Sequence, residues 1–475
     1  MEHPVHPNPW MILPFGLLLA TMALAPLFFA GWWRKHYAKV AGVLGAVTLV
    51  YYWVGLNAGE RVRDTANEYT SFIVLIGSLF VVSGGIHIRV KGEATPLANV
   101  TFLLLGAVMA NLFGTTGASM LLIRPWLRMN KYHVTAHHVV FFIFLVSNVG
   151  GCLTPIGDPP LFLGYLKGIP FWWVAEHCWP MWATAVGILL AMFYLIDSGN
   201  YLRAPIEVRT KLAEPPDVWR FEGWSNLTFL AVILGAVFIN DPPFLREAMM
   251  LAAAIGSYAT TRKSIREAND FNFHPVQEVA ILFAGIFATM MPALDWLQTN
   301  AGRLGDASPS VFYWGCGALS SALDNAPTYL SFLSASFGLF VDQDIIQQVQ
   351  RVLQTHPADL TAITGPQAEQ IRQTVLALQK YHAAQVAGGT VSMDNIEVAF
   401  LLGNASLNQY ILAISISAVF FGANTYIGNG PNFLVKAIAD QQRVHSPTFL
   451  GFIFKYTLPC MAPTLLVVWW IFFRG

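Results

Sequence analysis

The sequence predicts an all-α, polytopic membrane protein built on two internal, inverted repeats. Each repeat carries a re-entrant hairpin and a broken helix. Three observations predict it. Of 475 residues, 55% are hydrophobic and 11% are charged, where a soluble domain carries about 25% charged residues. Apolar runs recur at lengths near the roughly 20 residues that cross a bilayer. Two polar, breaker-rich motifs lie inside such runs, once in each half of the chain.

Composition narrows the function class. Mean hydropathy is +0.51 and the formal net charge is zero. No basic stripe or nucleic-acid motif is present, so no nucleic-acid partner is expected. The expected surroundings are a lipid bilayer, the bacterial-type inner membrane. The cysteines, Cys152, Cys178, Cys316 and Cys460, are scattered in apolar surroundings and make no metal or disulfide pattern. The N-terminal MEHPVHPNPW lacks a basic region, so a cleaved signal peptide is not expected and the first apolar run is read as a retained span. There is no zinc-protease motif and no nucleophile elbow, so the chain is not read as an enzyme.

The spans follow in order. Residues 10–33 and 40–56 are expected to form N-terminal scaffold spans within 1–68. Residues 69–86 open a first repeat core, 69–170, with its hairpin over 98–123 and its broken helix over 137–166. Scaffold spans at 171–196, 227–239 and 244–260 and a linking loop at 197–224 fill 171–270. Residues 276–297 open the second hairpin region, 271–340. The Gln- and Ala-rich stretch 341–396 has helical periodicity and reads as an extramembrane insertion. A second broken helix is expected in 397–445, and the C-terminal span, 448–473, in 446–475. Positive clusters sit at RKHYAK (34–39), LIRPWLRMNK (122–131) and RKSIRE (262–267), too evenly spread to orient the chain.

The repeat is read from paired segments. GAVMANLFGTTGASMLL, from Gly106, aligns without a gap on GALSSALDNAPTYLSFL, from Gly317. SNVGGCLTPIGDPPLFL (147–163) faces ANTYIGNGPNFLV (423–435). Irregular backbone at membrane depth must be buried in protein or line a watery cavity. Breaking a helix there frees carbonyls and amides that coordinate ions.

Acids at such breaks are the first functional candidates. An intramembrane carboxylate costs about 2.5–3.5 kcal/mol on insertion scales and marks an ion path. Asp158 and Asp324 qualify, one in each half. A carboxylate binds either a proton or Na⁺, and that competition suffices for coupled exchange. A hard cation takes about six oxygens. Candidate donors are Ser147, Asn148, Thr154, Asn325, Asn424, Thr425 and Asn429, carbonyls near Gly157, and Thr115 and Thr116 at the first hairpin tip. Asp158, Asp324, Asn148 and Asn424 are the expected Na⁺ set. No resident cofactor is expected beyond Na⁺ or Li⁺ and H⁺ as cargo. Plainer roles stand beside each. Asp158 before Pro159 fits a helix cap, as does Asp324, and the Asn and Thr residues can simply satisfy broken backbone. Asp295 is either a second membrane acid or, being near a span end, interfacial. His137 and His138 read as interfacial, unless they sense pH. Lys436 can snorkel, balance an acid or contact an anionic substrate.

At these residues the chain resembles the ion transporter superfamily. NVGGCLTPIGDPP looks like its broken-helix motif. SSALDNAPT is similar to the second hairpin tip of NhaD-type sodium/proton antiporters. The first tip, ANLFGTTG, carries no acid, and GDPP and ANTYIGNGPN look like anion-transporting relatives. The resemblance implies a homodimer with a scaffold domain and a mobile transport domain moving as an elevator. It implies Na⁺(Li⁺)/H⁺ antiport by alternating access at the aspartates, or alternatively Na⁺- or H⁺-coupled transport of citrate, a dicarboxylate or another anion.

Overall fold

The computed structural model describes residues 5–89, 95–131, 134–203, 220–239, 242–304, 308–355 and 363–474. Within them the chain is almost wholly helical. Eight helices are long and apolar enough to cross a membrane, and a ninth results if the pair Met393–Gly403 and Asn408–Asn424, bent by 103°, is counted as one span. The protein is an integral, multi-pass membrane protein.

Several boundaries differ from the sequence reading. The first two spans meet at Phe29, where the helix Leu13–Phe28 ends. The next helix starts at Ala30 and runs to Val50, so RKHYAK is helical and not a connecting loop. The third span starts early, at Gly59, and ends at Gly84. Residues 197–203 extend the helix Phe171–Arg203, and the rest of the expected loop up to 219 lies outside the described residues. Two short strands interrupt the helices: His87–Arg89 pairs antiparallel with Arg220–Glu222. The 341–396 stretch is helical as expected, at Gln343–Thr355, Ala368–Tyr381 and Ala383–Gly388, with 356–362 outside the described residues. It is not simply solvated. Ile345, Ile346, Val349, Val375 and Leu378 are buried, and the helix Ala368–Tyr381 packs on Met393–Gly403.

The stretch Pro96–Met129 is helical over 34 residues, yet it cannot be a single straight rod. Asn99 and Asn130 would then stand about 46 Å apart at 1.5 Å per residue. Instead their side chains exchange hydrogen bonds of 2.8 and 3.0 Å, and Phe102 stacks on Trp126 at 5.4 Å. The chain reverses at Gly114, whose φ of 72° and ψ of 156° suit a residue without a Cβ. This is the first hairpin, slightly longer than 98–123. Pro309–Ala322 and Asn325–Phe340 form the second, with Phe312 against Phe332 at 5.8 Å.

The helix Ala136–Leu145 is almost wholly buried. Val139 through Val146 are fully inaccessible, as expected of a helix apolar all round. Its burial in protein is what permits its irregular continuation.

Candidate functional site

The site grows from two interrupted helices. The helix Ala136–Leu145 gives way to a short turn at Val149–Leu153 and resumes at Pro159–Leu166. Asp158 is extended, at φ −141° and ψ 143°, because a residue before proline is pushed out of the helical region. Pro159 then starts the new helix, where its missing N–H costs nothing. The second interruption runs alike: Asn408–Phe421, a turn at Gly422–Asn424, an extended Asn429 and a new helix at Gly430–Gln441.

Each interruption closes on itself through glycines. A Cβ on Gly157 would lie 2.1 Å from the Gly151 carbonyl oxygen, and one on Gly428 would lie 2.6 Å from that of Gly422. No other residue fits such backbone contact.

The hairpin tips dock on these loops. The Thr115 N–H donates to the Gly157 carbonyl at 2.7 Å. Asn111 donates to Gly150 O at 2.7 Å and accepts from Leu153 N at 2.8 Å. Thr154 Oγ1 donates to the Asn111 carbonyl at 2.7 Å. In the other half Thr425 Oγ1 donates to the Ser321 carbonyl at 2.7 Å, and Asn424 Nδ2 to Ser321 Oγ at 2.8 Å. These contacts set Asn111 opposite Ser321. The gapless alignment of Gly106 on Gly317 sets it opposite Ala322, one residue off. One Gly, one Ala and two Leu are identical in the gapless alignment, whereas the residue that reaches the broken helix decides the correspondence.

Asp158 is where the pieces meet. It is 1% exposed. Its Oδ1 accepts from Thr115 Oγ1 at 2.7 Å and Asn429 Nδ2 at 2.9 Å, and its Oδ2 accepts from Asn325 Nδ2 at 2.6 Å. Both hairpin tips and the second interruption therefore converge on one carboxylate. It sits at a capping position but its side chain caps nothing, so the plain capping role is corrected. An ionised carboxylate is an acceptor only, with room for about four hydrogen bonds. Among the described residues no Lys or Arg bonds to it.

A polar net extends behind it. Asn429 also reaches Ser147 O at 3.1 Å and Asn148 Oδ1 at 3.2 Å. Asn148 donates to Ile143 O at 2.8 Å and to Asn432 Oδ1 at 2.7 Å. Asn432 donates to Gly422 O at 2.8 Å and Thr425 O at 2.9 Å, and Ser147 shares a hydroxyl bond of 2.8 Å with Ser119. Asn111 and Asn432 were missed in the sequence. Asn432 had a signal, standing one helical turn beyond Asn429 on the same face.

The remaining candidates divide. Thr154 and Thr425 brace backbone. Thr116 lines a cavity of about 20 Å³ beside Asp158, with Gly114 and Ile156, which is water-sized. Asp324 caps the second hairpin's return helix, accepting from Ala326 N at 3.1 Å. It lies within electrostatic reach of Asp158 but shares no hydrogen bond with it. Asn424 faces Ser321. The expected set of Asp158, Asp324, Asn148 and Asn424 is thus not joined by one hydrogen-bond net; Asp158 and Asn148 share Asn429, and the other two bond elsewhere. Asn325 Oδ1 and Asn424 Oδ1 are buried without a hydrogen-bond partner. Asp324→Asn separates its two roles, because asparagine caps as well as aspartate. If the charge serves transport, the variant keeps wild-type thermal stability and loses uptake; unchanged uptake reduces Asp324 to a cap.

Asp295, His137 and His138 are not interfacial, and Lys436 balances an acid. Asp295 is buried, with Tyr52 Oη at 2.7 Å and Arg61 Nε and Nη2 at 3.0 Å each. Removing it leaves the half-buried Arg61 guanidinium without its carboxylate, so Asp295→Ala is expected to lower the melting temperature in detergent. His137 and His138 are buried, each with Nε2 3.1 Å from Asp197 Oδ1, and Asn99 donates to Asp197 Oδ2 at 2.8 Å. Lys436 pairs with Asp440 on its own helix.

A family model described as putative citrate transport matches residues 5–473. The chain belongs to this family. It is also similar to the inner membrane protein YbiR of Escherichia coli (strain K12), at 21% identity over 280 residues covering 55% of this chain and 70% of that one. The putative citrate transport family places the chain among ion and anion transporters at the superfamily level. It does not single out NhaD-type antiporters, and of the two functions expected from the sequence it stands nearer the anion alternative.

Proposed function

We propose that the chain is a secondary active transporter of a small carboxylate anion, citrate or a dicarboxylate, driven by Na⁺ or H⁺ bound at Asp158. The observation that carries this reading is the meeting of helix N-termini at one buried carboxylate. The helices that begin at Thr115, Pro159, Asn325 and Gly430 all contribute a residue or its neighbour to the Asp158 net. Helix N-termini carry a partial positive charge and free N–H groups, which favour an anion. Freed carbonyls and the Asn oxygens favour a coupling cation. Matching contacts in the two halves support an inverted repeat. In this reading the hairpins and broken helices travel as a transport domain against a scaffold, within a homodimer in the bacterial inner membrane, and Asp324, Asn325, Asn148 and Asn429 take part in ion binding.

Na⁺(Li⁺)/H⁺ antiport is kept as a second reading for one reason. Among the described residues no cationic side chain bonds within the net, so nothing but dipoles would hold a trianion. Proteoliposomes decide between them. Labelled citrate or dicarboxylate uptake that follows an imposed Na⁺ or pH gradient supports the first. Absence of uptake, with internal pH responding to external NaCl or LiCl alone, overturns it in favour of antiport.

A further inference from the structure

A cavity of about 510 Å³ lies away from Asp158, at the open end of the first hairpin. Its size is that of a small-ligand site. The lining brings together Arg124, Arg128 and Lys131 from the end of the hairpin, Arg443 from the end of the second broken helix, and His87 from the short strand, with aliphatic groups such as Val444 between them. No acidic side chain is among the described lining residues, and Arg128 and Lys131 each also interact with a neighbour. Asp270 reaches in from outside, 3.3 Å from Arg124, but its side chain is 63% exposed. None of these residues takes part in the Asp158 net.

Arg443 adds an independent observation. It follows the C-cap of the helix Gly430–Gln441 with φ 59°, and the Val444 N–H returns to Ala439 O at 2.9 Å. This left-handed closing position is usually glycine, which fills it without strain. Arginine there accepts an unfavourable backbone and in exchange lines the cavity.

We propose that this cavity binds a multiply charged anion through phosphate or carboxylate oxygens, separately from the Asp158 site. Guanidinium groups match such oxygens in paired hydrogen bonds, and basic pockets between membrane helices suit anionic headgroups. The source is an anionic phospholipid or a free solute; the chemistry is shared. The proposal does not depend on what the protein transports.

The test uses the full chain carrying Asp158→Asn, which removes ion coupling at the central site, and only the part of any stabilisation lost in the glutamine variants below is assigned to this cavity. Thermal unfolding is followed in detergent with inorganic phosphate or citrate, and in phosphatidylcholine nanodiscs with and without phosphatidylglycerol. The expected result is stabilisation by at least one of these anions that weakens as NaCl is raised. Adding R128Q with R443Q should weaken apparent affinity at least tenfold, while R128K with R443K keeps most of it and shows that the fold survives. Stabilisation by phosphatidylglycerol alone identifies a lipid headgroup, and stabilisation by phosphate or citrate identifies a solute. No stabilisation by any of them, or equal stabilisation in the glutamine and parent proteins, overturns the proposal.

Discussion

Asp158→Asn is expected to fold, to insert and to lose transport by at least about 100-fold. The substitution is nearly isosteric, but it replaces one acceptor oxygen with an NH₂ group. Thr115 and Asn429 donate to Oδ1 and Asn325 donates to Oδ2. With its partners as they stand, one turn of the new amide sets its N–H against the Asn429 amide and the other against the Asn325 amide. Hydrogen bonds to charged groups contribute about 1.5–3 kcal/mol each, and about 1.4 kcal/mol is tenfold in affinity. The larger loss is chemical, since an amide neither takes up a proton nor neutralises Na⁺ near neutral pH. Size-exclusion chromatography and uptake in the same vesicles check both halves of the expectation. Gradient-driven uptake at wild-type rates would remove Asp158 from the coupling mechanism under either functional reading.

Gly157→Ala is expected to prevent assembly of the site altogether. The added methyl would meet the Gly151 carbonyl oxygen at 2.1 Å and its carbon at 2.8 Å. Both belong to backbone, so no rotamer change relieves the overlap. Overpacking of an ordinary core costs about 1–3 kcal/mol, and a clash between two backbone segments exceeds that. The loop would open, and the Thr115 N–H bond to Gly157 O would break with it. Gly430→Ala is the matched control, because nothing lies within 4 Å of a Cβ there. Detergent-solubilised yield and melting temperature should fall sharply for Gly157→Ala and stay level for Gly430→Ala. A Gly157→Ala protein as stable as wild type would mean that the two loop strands are not in contact.

Much of the architecture was legible because its signals are local. Pro159 and Pro431 mark helix starts, and Gly114 marks the turn of a hairpin whose arms are both apolar. The long helical run through Gly114 shows the limit of that legibility. Its composition alone is also that of a long span; the repeat marked it as a hairpin, and the bonded pair Asn99 and Asn130 fixes where its arms meet. Asp197 was hidden by an assigned loop, although it receives both His137 and His138. Asp295 looked interfacial because its partner, Arg61, belongs to a distant span.

The sequence by itself determined that the chain is a helical membrane protein, where its helices break, and that Asp158 stands at one of the breaks. These follow from hydropathy, proline and glycine, which act over a few residues. Only the tertiary structure decided what Asp158 meets. Its donors Thr115, Asn325 and Asn429 are 43, 167 and 271 residues away. No local preference encodes those pairings. They arise because a buried carboxylate is costly until donors surround it, and folding both hairpin tips onto the two broken helices is what supplies them.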